Sequence, residues 1–151
     1  MASSRQSSLI AVGQAMQRYQ RSVQAFDDAV GRRLGVGPAD LRCLDWLTDG
    51  PQTAGQLATA TGLRPAATTA LIDRLTEKGL VERVRDEADR RRVLVRMTAQ
   101  GVREVGALYG PMVQEGQQVL AALSEQDLDL MRDHLVLITE LTDRHRARVA
   151  G

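Results

Sequence analysis

Asp89 stands ahead of three consecutive arginines, Arg90, Arg91 and Arg92, in a polar stretch between two β-rich runs. Guanidinium groups crowded at a turn suit a polyanion. The minor groove of DNA, where negative potential is concentrated, favours an inserted arginine. Asp89 is placed to hold Arg91 by a charge-assisted hydrogen bond across a tight turn. Upstream, a helix read over 65–78 turns Thr68, Leu71, Ile72 and Leu75 inward. That leaves Ala66, Ala67, Thr69, Ala70, Asp73 and Arg74 outward or partly so. Alanine and threonine methyls match thymine methyls but make no bidentate contact with a base edge. Arg64 and Arg74, near opposite ends of this helix, suit phosphates. The direct reading of bases is therefore expected to be modest and to be helped by DNA shape.

Other chemistries find little support. The single cysteine, Cys43, excludes an internal disulfide framework and a cysteine-cluster zinc site. His134 and His145 are eleven residues apart, which is not helical ligand spacing. There is no nucleophile–base pair and no phosphate-cradling glycine loop, so the chain is not read as an enzyme, and no metal or cofactor is expected. Aromatic residues are 3% of the chain, too few for the stacking platforms that bind unpaired bases. Twenty Lys and Arg balance nineteen Asp and Glu, which excludes a polybasic or acidic tail protein. No apolar run approaches the ~20 residues of a membrane helix. The run Leu9-Ile10-Ala11-Val12 is too short for a signal-peptide core, so a cytoplasmic address is expected.

The elements that must position these residues fall into three zones. The first, about 8–34, reads as one long helix. Leu9, Val12, Met16, Tyr19, Val23, Phe26 and Val30 recur at alternating steps of three and four, a heptad stripe. Gly35-Val36-Gly37-Pro38 stops it. The middle zone begins with a short helix from Pro38 to Leu47 that carries Cys43 in its core face, ended by Asp49-Gly50-Pro51. Thr53 can N-cap a second helix over 54–61, which Gly62 ends. Pro65 fits the first turn of the third helix, although Arg64 is a poor cap. Leu80 to Arg85 and Arg92 to Thr98 then read as the strands of a hairpin. The last zone, about 99–147, returns to helix through Val102, Val105, Tyr109, Met112, Val119 and Leu123. Pro111 is expected to kink or split it. Ser124 then N-caps a final helix carrying Leu128, Met131, Leu135 and Ile138.

Helix, glycine turn, helix and hairpin describe a winged helix-turn-helix, whose second helix enters the DNA major groove. The fold class is mainly α with a small β-hairpin wing (α+β). The winged helix-turn-helix over 36–98 carries the DNA-contacting set, to which Thr53 also belongs. Residues 1–35 and 99–151 form a helical region whose two stripes are too much for one small domain to cover. Dimerisation through Leu9, Val12, Met16, Val119, Leu123, Leu135 and Ile138 is expected.

From Val36 to Gly101 the chain resembles the MarR family of bacterial transcriptional regulators. The resemblance is carried by Pro38-Ala39-Asp40-Leu41-Arg42-Cys43-Leu44, by Gln56-Leu57-Ala58, and by the run from Leu71 to Arg83. The most specific part runs from Asp89 to Gly101, which is similar to the family's wing and the Leu-Thr-x-x-Gly after it, with Met97 in place of Leu. The flanking helical zones also fit. The resemblance implies a homodimer with interlocked terminal helices, in which two winged domains grip a pseudo-palindrome of double-stranded DNA. It implies Arg91 as the minor-groove arginine, Asp89 as its partner, and Thr69, Ala66 and Ala67 as major-groove readers. Ala70 stands where many relatives carry a larger polar residue. The resemblance further implies a repressor released by a small, often aromatic or anionic effector, with Tyr19, Arg42 and Trp46 at its pocket. Core packing is the plainer expectation for Tyr19 and Trp46. A ligand-independent architectural or antirepressor-like protein is the alternative.

Overall fold

The computed structural model describes residues 2–151. Among the described residues six helices and three strands follow one another as α1 (Ala2–Leu34), α2 (Pro38–Thr48), β1 (Gln52–Thr53), α3 (Ala54–Thr61), α4 (Pro65–Glu77), β2 (Val81–Arg85), β3 (Val93–Met97), α5 (Ala99–Leu120) and α6 (Glu125–Ala150). The long first helix starts earlier than its heptad stripe suggested. Ser4, Gln6 and Ser7 carry no apolar signal, yet the helix continues through them.

Local chemistry explains most boundaries. At α3, Thr53 Oγ1 accepts from the Gln56 amide at 3.1 Å, and Gln56 Oε1 accepts from the Thr53 amide at 2.8 Å. This reciprocal box satisfies two donors that the helix itself cannot. Gly62 ends α3 with φ +72°, a conformation that β-carbons disfavour. Pro65 opens α4, and no side chain of Arg64 caps it. Ser124 Oγ accepts from the Asp127 amide at 3.1 Å and so caps α6.

One element differs from the sequence expectation, and a second narrows it. The pair Gln52–Thr53 forms a short strand, so the sheet has three strands in the order β1-β3-β2 rather than a two-stranded hairpin. Gln52 pairs with Val95 and Thr53 with Leu94, antiparallel. Two residues beside a proline and a glycine give no alternating pattern, so nothing in the sequence marks the strand. In addition, α5 is not split at Pro111, which lies inside it. The proline's φ is helical, and its missing N–H deprives a single carbonyl, that of Ala107, of its partner.

By contacts the chain divides into two compact units, Met1–Ala107 and Leu108–Gly151. The core of the first is closed by Cys43, Leu44, Leu47, Leu57, Leu71, Ile72, Leu75, Leu80, Val81 and Val95, all buried. Burying one such leucine contributes roughly 1.5–3 kcal/mol. The entry to α5 is locked onto this core. Thr98 Oγ1 donates to the Gly79 carbonyl at 2.5 Å and accepts from the Gly101 amide at 2.9 Å. Gly101 lies so close to the Leu80 carbonyl that no β-carbon fits. The second unit buries almost nothing by itself. Among the described residues α6 has no buried side chain, and Leu130, Met131, Leu135, Val136, Leu137 and Leu141 are exposed. Among the described residues no helix is long and apolar enough to cross a membrane.

Candidate nucleic-acid interface

The faces of α4 are those the sequence pattern assigned. Thr68, Leu71, Ile72 and Leu75 are buried, while Ala66, Ala67, Thr69, Ala70, Asp73 and Arg74 are exposed. The buried Thr68 satisfies its hydroxyl by donating to the Arg64 carbonyl at 3.1 Å. Thr69 does the same with the Pro65 carbonyl, also at 3.1 Å. With its proton used, Thr69 offers outward a methyl group and an acceptor oxygen. Arg64 precedes the helix, is exposed, and has no ion pair among the described residues. Thr53, committed to capping α3, is half-buried.

Two ion pairs fix the far end of α4. Asp73 accepts from Arg83 Nη2 of β2 at 2.7 Å. Arg74 Nη2 donates to Asp40 Oδ1 of α2 at 2.9 Å. The Arg74 side chain is 54% exposed and that of Asp40 only 8%. The other oxygen of Asp40 accepts from the Gly37 amide at 2.9 Å and so caps α2. Neither ion pair was foreseen. Asp40 could have been found as a capping residue, three positions after Gly37. Its partner, 34 residues away, leaves no trace in local pattern.

The wing turn is built from its acids. Asp86 accepts from the Ala88 amide at 2.9 Å, and its carboxylate lies 3.6 Å from the Arg92 guanidinium. The backbone closes through Arg92 N–H to the Asp89 carbonyl at 2.9 Å and Asp86 N–H to the Arg92 carbonyl at 3.0 Å. Asp89 does hold Arg91, but through the backbone amide at 3.0 Å and not through the guanidinium. An aspartate side chain is too short to reach past its own turn, so it settles on the amide two residues ahead. The consequence favours binding. Arg90 and Arg91 are exposed and have no ion-pair partner among the described residues, while Arg92 is paired with Asp86.

The remaining candidates are placed as follows. Leu9, Val12, Val119, Leu123 and Leu135 are exposed, while Met16 and Ile138 are half-buried. Tyr19 and Trp46 do not pack in the core as expected. They are 70% and 47% exposed; on α2 the inward positions are held by Cys43, Leu44 and Leu47, which leaves Trp46 on the outer face. Arg42 is exposed as well. None of these three lines the cavity of about 410 Å³ at the α1–α2 junction, which is bounded by Asp27, Gly31, Arg32, Val36, Pro38 and Leu41 among others. Burial, and secondly the charge of Asp40, pushes the Cys43 thiol up to about 12. It is an inert core group at neutral pH. Burial, followed by the charges of Asp49 and Asp27, raises the Asp45 carboxyl above its ordinary value.

Comparison with known proteins agrees with this geometry. A sequence profile of the MarR family matches residues 34–92. The chain is 36% identical over 107 residues to an uncharacterized HTH-type transcriptional regulator of Bacillus subtilis (strain 168), YcgE, covering 70% of each chain. A crystal structure of a MepR mutant from a multidrug-resistant S. aureus clinical isolate has a similar fold. Its TM-score is 0.68 at 19% identity, covering 84% of this chain and 94% of that one. A second S. aureus MepR mutant, solved bound to an oligodeoxyribonucleotide, is similar with a TM-score of 0.53 at 19% identity, covering 83% and 96%.

Proposed function

The chain belongs to the MarR family of DNA-binding transcriptional regulators, and we propose that it works as a homodimeric repressor of pseudo-palindromic operators, released by a small ligand. The observation that carries the reading is the unobstructed pairing of two surfaces. The exposed face of α4 offers Ala66, Ala67, Thr69 and Ala70, and the wing offers Arg90 and Arg91, neither in an ion pair among the described residues. In this reading α4 lies in the major groove, Arg64 and Thr53 meet phosphates, and Arg91 enters the adjacent minor groove. The oligonucleotide-bound MepR mutant supports the same use of the fold.

Dimerisation rests on α6. A 26-residue helix with no buried side chain exposes a row of leucines that water disfavours. A second copy covers them and gives two reading helices for two half-sites, roughly 34–36 Å apart. A ligand that prefers a different spacing then releases the DNA. Tyr19, Arg42 and Trp46, exposed in one chain, are the residues proposed to meet an aromatic or anionic effector in the dimer. Residues 1–35 and 99–151 serve assembly and 36–98 serve DNA, and the site of action is the cytoplasm.

The test is selection of duplexes from a random pool, followed by substitution. A pseudo-palindrome with half-sites about one turn apart is expected. Arg91→Ala should weaken binding across sequences and lower the salt slope by about one unit, and an unchanged slope removes Arg91 from the groove. Thr69→Ala should alter preference among sites more than overall affinity. The small residues of α4 also favour a second reading, a ligand-independent architectural or antirepressor-like protein. Recovery of no motif by a folded dimer selects that reading.

A further inference from the structure

The reading face of α4 is made of short side chains. Long readers such as arginine or glutamine can bend to find a base edge, but Ala66, Ala67, Thr69 and Ala70 cannot. Their distance to a base is the distance of the backbone itself. Ala66 lies eight residues before Arg74, roughly 12 Å at 1.5 Å per residue. A tilt of about ten degrees about the last turn of α4 moves Ala66 by roughly 2 Å, well outside the tolerance of a hydrogen bond or methyl contact. Whatever fixes that last turn therefore sets what the helix can read.

Two ion pairs fix it, and they pull from different elements. Asp73 is tied to Arg83 on β2, and Arg74 to Asp40 on α2. The second is the more constrained. Asp40 is almost wholly buried, and its two oxygens have one protein donor each, the Gly37 amide and Arg74. If Arg74 left for a phosphate, a buried carboxylate would lose its only counter-charge contact among the described residues, which is strongly unfavourable. Arg74 also follows Ala70 by one turn on the same strip. A small residue there removes any side chain that could brace the helix in its place.

We propose that Asp40 and Arg74 are a positioning pair that sets the seating of α4, so that Arg74 confers sequence preference without contacting DNA. This rests on α4 being the reading helix. The two roles for Arg74 predict different measurements. A phosphate contact contributes equally on every sequence and adds about one unit to the salt slope. A positioning residue affects the preferred sequence alone and leaves the slope unchanged.

The experiment measures affinity for a duplex recovered from a random pool and for a random-sequence duplex, each across a salt series, with the full chain. The variants are Arg74→Met, Asp40→Asn and their double. Each single variant is expected to lower affinity for the selected duplex about tenfold, the order of one poorly met base pair. Binding to the random duplex and the slope should stay as in the wild type, and the double should be no weaker than either single. The proposal is overturned if Arg74→Met lowers both affinities together with a slope smaller by about one, while Asp40→Asn binds as wild type. It is also overturned if the preference is intact in both variants. Should Asp40→Asn fail to fold, Arg74→Met decides alone, since the preference and the slope separate the two roles. Ala67→Glu serves as control for the reading itself. A carboxylate there should abolish binding, and unchanged binding rejects α4 as the reader whatever the pair does.

Discussion

The winged module and the final helix are made of the same apolar residue types and treat them in opposite ways. Between Pro38 and Met97, leucines at 44, 47, 57, 71, 75 and 80 are buried within one chain. Along α6, leucines at 130, 135, 137 and 141 remain exposed. The first set comes from several elements that converge on one interior. The second sits on a single helix, and one helix cannot surround its own stripe. An apolar pattern thus reports that burial is needed, and the number of elements sharing it decides whether a single chain can supply it.

The strongest way to break this comparison is to charge the exposed stripe. Leu135→Asp should leave the winged module folded but prevent assembly, measurable by sedimentation. Loss of simultaneous engagement should weaken operator binding on the order of 10²–10⁴-fold. If the variant sediments as the wild type, α6 is not the assembly surface. The converse change, Leu71→Ala, strikes a wholly buried side chain. It should destabilise by about 2–5 kcal/mol in a denaturant titration, with no direct effect on assembly.

Smaller effects sharpen the same contrast. Thr53→Ala removes the capping oxygen of α3, and a loss of about 1 kcal/mol is expected by thermal unfolding. A value near zero would mean that water replaces the cap. The smallest concerns Cys43. Its native thiol stays protonated to about 12, whereas an unfolded thiol ionises near the ordinary value of 9.0. Stability is therefore unaffected below pH 9 and declines as the pH rises through the window to about 12, because only the unfolded state loses its proton there. Cys43→Ala should flatten that part of the pH profile. Native alkylation at pH 8 should be slow, and rapid labelling would show that the α2 core opens.

Much of this was legible from sequence, and for a common reason. The inward positions of α4, the caps at Thr53 and Ser124, the stop at Gly62 and the strand pattern after Arg92 depend on residues within one or two turns of each other. The wing was legible in its residues but not in its bond. Asp89 was assigned to Arg91, yet only the folded turn decides between its guanidinium and its amide.

The sequence by itself determined the order of the helices and of the hairpin, the faces of α4, the arginine-bearing wing and the family, because periodicity, capping and turn chemistry act over a few residues. The tertiary structure alone decided the pairing of Gln52 with Val95, the tie from Arg74 to Asp40, and the exposure of Tyr19 and Trp46. Each of these depends on where distant segments come to rest. A carboxylate and a guanidinium 34 residues apart have no shared period to betray them. Only the packing of α4 against α2 brings them within 2.9 Å.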